Sequence, residues 1–227
     1  MKKQFCCFLC IFLMGSFCFS GDIAVFKDLG FSQDGKSYAF AQYGITDKDF
    51  VPYGEIYTID IAENEYIPKG VFKKTAAAFK NGEEIFSHLA EKNKAFLAKY
   101  KFSPISLDDT LYISSGTKKN SASIRVKDFS STENIYYNIN LVPFVEGKGK
   151  NCSSSFYIVI EKQDETGKTL AKKVAGTPSV KRKGVSGYAI ETIYHNPKNN
   201  NFIFIVEKQI QTDSGISVRY MAEALEF

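Results

Sequence analysis

Tryptophan is absent from the 227-residue chain, and histidine occurs only twice, at His88 and His195. Beyond residue 20 neither a His-x-x-x-His nor a Cys-x-x-Cys spacing occurs, so the usual zinc frameworks have no material. Cysteine is scarcer than its count of five, because Cys6, Cys7, Cys10 and Cys18 crowd the amino terminus and Cys152 stands alone afterwards. One cysteine cannot close an intramolecular disulfide, which excludes a stapled extracellular scaffold and leaves stability to a hydrophobic core. No Gly-x-Ser-x-Gly elbow and no phosphate-binding glycine loop is present. Neither sign of charge dominates. The net charge of +4 falls to +2 without Lys2 and Lys3, too balanced for a nucleic-acid partner.

What is present begins with an export signal. Lys2 and Lys3 form a positive start, Phe5 to Phe19 is an uncharged apolar run, and Cys18 and Ser20 are small residues before Gly21-Asp22. The run is shorter than the roughly 20 apolar residues that span a bilayer, so residues 1–20 read as a cleavable leader cut before Gly21. Lipidation would need a small residue just before the modified cysteine, and Leu9 before Cys10 and Phe17 before Cys18 do not supply one. The working protein is then a single domain over 21–227, periplasmic or secreted, with no transmembrane span after cleavage.

Phe31 to Phe40 reads strand–turn–strand around Ser32-Gln33-Asp34-Gly35-Lys36, where Gly35 can take positive φ. Glu55 to Ile61 alternates as a strand, and Gly44 to Gly54 between them reads as a loop. Asn81 with Glu84 three residues on forms a capping box, and Ile85, Phe86, Leu89, Phe96, Leu97 and Tyr100 recur at helical spacing. One amphipathic helix is expected near 82–101, stopped by Ser103-Pro104. The second half is strand-rich. Ile135, Tyr137, Ile139 and Leu141 share one face of a long strand that Pro143 marks as bulged or at an edge. Asp164-Glu165-Thr166-Gly167-Lys168 joins two further strands. Phe202-Ile203-Phe204-Ile205-Val206 is apolar on both faces and predicts a central strand.

Candidate chemistry is sparse. Asp47, Asp49 and Asp60 with Glu55 have the oxygen chemistry for a hard cation, but their spacing matches no EF-hand, and loop acids are usually just solvated. His88 reads as a surface or boundary residue and His195 as a solvated loop residue. Cys152 reads as a buried or loop thiol without an activating neighbour. Lys168, Lys172, Lys173, Lys181, Arg182 and Lys183 make the one basic concentration, either an anionic-surface contact or an edge that discourages strand pairing. No residue is assigned as catalytic, cofactor-binding or metal-binding, and no cofactor is expected.

The stretch Phe31-Ser32-x-Asp34-Gly35-Lys36 … Ala39-Phe40 … Glu55-Ile56-Tyr57-x-Ile59-Asp60 resembles one blade of a TolB-type or WD40-like propeller. With Tyr43-Gly44-Ile45-x-Asp47, Pro52-Tyr53, Gly187-Tyr188 and Arg219-Tyr220, the chain also resembles a family of predicted secreted bacterial proteins of unknown function. The resemblance implies export and carries no chemistry. The expected fold is mainly β (α+β), with antiparallel sheets curved or sandwiched and one helix. A truncated propeller is the alternative. The expected role is a non-enzymatic binding or accessory module for an envelope protein or polysaccharide. The alternative is a secreted or periplasmic hydrolase using loop carboxylates.

Overall fold

The computed structural model describes residues 21–115 and 123–227; the expected leader, its four cysteines and its cleavage site lie outside or at the border of the described residues. Among the described residues thirteen strands form three antiparallel sheets. The first is a meander of β1 (Val25–Phe31), β2 (Ser37–Ile45), β3 (Pro52–Asp60) and β4 (Glu65–Thr75). Two helices follow, α1 (Gly82–Lys92) and α2 (Lys94–Tyr100). Next in the chain come β5 (Thr110–Ile113), β6 (Ser123–Lys127), β7 (Tyr136–Glu146), β8 (Ser153–Gln163), β9 (Thr169–Ala175) and β10 (Arg182–Lys183). The last three strands are β11 (Val185–Asn196), β12 (Asn201–Gln211) and β13 (Ile216–Glu226). They build a middle sheet in the order β13-β12-β11-β5, and β10-β8-β7-β6, with β9 also on β8, make the third.

The alternation along β12 sets the layering. Phe202, Phe204 and Val206 point to one side, against Tyr137, Ile139, Phe156, Ile158 and Ile160 of the third sheet. Ile203 and Ile205 point to the other, against Tyr38, Phe40, Tyr57 and Ile59 of the first. All five β12 residues are fully buried, each contributing about 1.5–3 kcal/mol of transfer free energy. The expectation of a central strand is met. On the outer side of the first sheet, Ile85 and Leu89 of α1 pack on Ala41 and Ile56. Backbone comes close enough there that a β-carbon on Gly82 would strike Gly44 and Tyr53. Helix, sheet, sheet and sheet therefore stack as four layers, with no closed barrel among the described residues.

Local expectations hold where the chemistry is local. The Asn81 side chain accepts from the Glu84 N–H at 2.9 Å, and the Glu84 carboxylate reaches back to the Lys80 N–H at 2.9 Å. Ile135, Tyr137, Ile139 and Leu141 are buried together. Pro143 lies beyond the last β6 partner, Asn140↔Ser123, where among the described residues β7 has only β8 beside it.

Three expectations are corrected. The single helix near 82–101 is two, because Asn93 leaves helical geometry (φ −109°, ψ 14°) while its side chain donates to the Leu89 carbonyl at 2.8 Å. Lys101, at φ 50°, ends the second helix before Ser103-Pro104 is reached. The supposed loop 44–54 shrinks to residues 46–51, since β2 runs to Ile45 and β3 starts at Pro52 with Ile45↔Pro52 in register.

The Asp34-Gly35 turn is also a joint between sheets. The Asp34 carboxylate accepts from Ser32 Oγ at 2.6 Å and the Lys36 N–H at 3.1 Å, which holds its pKa below the ordinary range. Gly35 sits at φ 69°, and its carbonyl accepts from the Asn201 side chain at 2.8 Å. A β-carbon here would both carry left-handed strain, about 1–2 kcal/mol, and strike the Asn199 amide. Gly35→Val should therefore lower stability by at least that amount in a urea or thermal melt. An unchanged midpoint would show that the joint is not required.

Candidate functional site

The sequence-derived candidates do not converge. Asp47 accepts from Thr212 Oγ1 at 2.8 Å, and its N–H donates to Asp22 at 3.1 Å, tying the loop to the chain start. Asp49 is exposed. Asp60 caps its own turn, accepting from the Ala62 and Glu63 N–H groups at 3.1 and 3.2 Å. Glu55 accepts from Gln42 at 2.7 Å and the Tyr57 hydroxyl at 2.6 Å, with Lys73 at 3.4 Å. Among the described residues no group of three His, Cys, Asp or Glu side chains is arranged to hold a metal ion.

The histidines separate. His88 is exposed beside the Phe79 ring. His195 corrects the expectation of a solvated loop, for β11 runs past Tyr194 and pairs His195 with Phe202. There it is 4% exposed, its ring stacked 4.4 Å from Phe202, and burial pushes its pKa down. Cys152 is buried. The basic segment spreads out: Lys172 pairs with Glu161 at 2.9 Å, Lys181 with Glu146 at 2.7 Å, and Lys173 donates to the Glu226 carbonyl at 2.8 Å. Arg182 alone turns inward.

Arg182 enters a cleft of about 570 Å³ that crosses the outer edge of β13. The β3–β4 turn forms one wall and the segment leading into β10 the other, with Met221, Ala222 and Glu223 between them. Asn64, in the left-handed region at φ 51°, lays its amide across the edge. Its Oδ1 accepts from the Ala224 N–H and its Nδ2 donates to Glu223 Oε2, both at 2.6 Å. The Arg182 guanidinium lies 5.1 Å over the Phe156 ring and 3.7 Å from Glu223 Oε1. Burial raises the pKa of Glu223 against these two partners, and pushes that of the Tyr66 phenol up to about 12.

Lys208 is different. Among the described residues no carboxylate forms an ion pair with its ammonium, whereas Glu223 has both oxygens engaged. Burial, then the charge of Arg182, lowers its pKa to about 8; Lys73 and Arg219 act in the same direction and Glu55 against them. Lys208 is thus a half-buried cation without an ion pair among the described residues, in a cleft whose other charged lining groups are Arg182, Glu65 and Glu223. A second cavity of similar volume, between β1 and α2, is lined by the apolar Leu29, Leu97, Phe102 and Pro104 together with Lys27, Lys101 and Asp28. Sequence reading missed the cleft because its walls come from residues near 60, 180, 208 and 222. The one local signal was Arg182 in the basic segment.

A lysine whose folded pKa lies below its unfolded value weakens the fold while both states stay protonated. Between about pH 8 and the ordinary lysine range the unfolded chain holds the extra proton, so this group's contribution to stability rises with pH there. Lys208→Met should raise the melting temperature near pH 7 and flatten that rise. A lower melting temperature at pH 7 would contradict the uncompensated charge.

Residues 39–226 match the model of a family described as "Predicted secreted protein (DUF2259)". No curated protein and no solved structure matches the chain. No helix among the described residues is long and apolar enough to cross a membrane.

Proposed function

The chain belongs to this family of predicted secreted proteins, and from that premise we propose that it is a non-enzymatic binding or accessory module of the exported compartment, periplasmic or extracellular, whose ligand sits in the cleft across β13. One observation carries the reading. The cleft offers the Lys208 ammonium, which forms no ion pair among the described residues, and an apolar floor of Ile59, Met221 and Ala222, while of its two carboxylates Glu223 is engaged by Asn64 and Arg182 and Glu65 is exposed. An ammonium beside an apolar floor is suited to recognising a small anionic group. The hydrolase reading has no comparable support, since Asp47 and Glu55 are held by structural partners and Asp49 lies apart in the 46–51 loop.

The partner fitting this reading is an envelope macromolecule, protein or polysaccharide, that presents a small anionic group. Retention of the exported protein on washed envelope material tests it. The parent should be retained, and Lys208→Glu should be released at the same ionic strength while melting no lower than the parent. Equal retention of both would remove the cleft from the function.

A further inference from the structure

We infer that the cleft binds the end of an extended peptide, taking its last backbone amides on the edge of β13 and its free carboxylate on Lys208. This rests on the binding role proposed above and names the ligand class. The register between β12 and β13 runs without a shift from Gln211↔Ile216 to Asn201↔Glu226. In an antiparallel ladder, alternate residues of an edge strand turn their N–H and C=O away from the sheet. On β13 these are Ile216 and Glu226 at the ends and Val218, Tyr220, Ala222 and Ala224 between them, and three of the four inner N–H groups are capped. The Val218 N–H donates to the Asp22 carbonyl at 2.8 Å, that of Tyr220 to Gln42 Oε1 at 2.8 Å, and that of Ala224 to Asn64 Oδ1 at 2.6 Å. The series skips Ala222, and Ala222 is the one of the four that lines the cleft.

The two caps on either side of Ala222 decide what fits. Tyr220 and Ala224 stand about 14 Å apart along the strand. A long added strand would collide with the Gln42 and Asn64 side chains, but a single extended residue can exchange two hydrogen bonds with Ala222 between them. Edge pairing of this kind is a common way to take extended peptides. Lys208 lies three residues along β12 from Ile205, the partner of Ala222, which is about 10 Å. β13 lies between β12 and the open edge, and the Lys208 side chain reaches past it to line the same cleft as Ala222. The ligand's end must then carry negative charge, because Lys208 forms no ion pair among the described residues and Arg182 beside it has like charge. Glu65, Tyr66 and Glu223 also line the cleft; Glu223 is neutralised through Arg182 and Asn64. A terminal carboxylate supplies the missing charge with the geometry of a short, charge-assisted hydrogen bond.

The test is a nitrogen-15 NMR titration of the full exported protein with N-acetyl-trialanine as the free acid, with its carboxyl-terminal amide, and with acetate. The free acid should move the Ala222 amide signal saturably and bind at least about tenfold more tightly than the amide, the loss expected for one charged hydrogen bond. Lys208→Met should bind acid and amide equally and weakly. Equal binding of acid and amide to the parent would overturn the carboxylate assignment while leaving the cleft as a peptide site. Acetate binding as tightly as the tripeptide, or an Ala222 signal that none of the three moves, would overturn the peptide assignment. Neither result alters the envelope-retention outcome, which tests the binding role by itself.

Discussion

A strand that is apolar on both faces must be covered twice, and β12 imposes that requirement on everything around it. Phe202 to Val206 leave no face for water, so a sheet has to lie on each side. The two outer sheets meet the demand differently. The third supplies Tyr137, Phe156 and Ile158 to the phenylalanine side. The first supplies Tyr38, Phe40 and Tyr57 to the isoleucine side, and then buries its own second face under α1. Aromatic rings mediate much of this contact, Phe40 stacking on Tyr57 at 4.9 Å and Tyr137 meeting Phe202 edge-on at 4.8 Å. The connections follow the same logic. The Asp34-Gly35 turn of the first sheet and the Asn199–Asn201 turn of the middle sheet hydrogen-bond to each other because their strands are stacked.

Stacking also determines where a ligand can enter. The middle sheet ends at β13, and its edge lies between the two outer sheets. An open edge in such a place invites strand addition, and the protein closes most of it. Asp22, Gln42 and Asn64 reach it from three different segments. Arg219 reinforces the first of these by pairing with Asp22 and lying 4.3 Å over the Tyr53 ring. The remaining gap is the cleft. Its electrostatics follow from the same crowding, since Lys208 is carried into a cleft that already holds Arg182.

The sequence disclosed what depends on neighbours along the chain. The double-faced apolar run identified β12, the Asp-Gly pair identified the first hairpin, and Asn81 with Glu84 identified the helix start. Elements shaped by tertiary context were hidden. β4 contains Pro68, a left-handed Lys69 and a register shift opposite Tyr57/Ile59, so it shows no clean alternation. β5 is four residues long and gains its identity from pairing with β11. His195 looked solvated beside Asn196-Pro197, yet its pairing with Phe202 turns it into the core. The cleft was the least legible feature, because an amide left out of a capping series is a property of topology and no residue type announces it.

Hydrogen exchange of the β13 amides tests the account most directly. The caps predict strong protection at Val218, Tyr220 and Ala224, approaching that of Phe204 and Ile205 in β12. Ala222, facing the cleft without a partner among the described residues, should exchange by local fluctuation far faster than its three capped neighbours. Protection of Ala222 equal to theirs would mean that the edge is closed along its whole length, and would contradict the site.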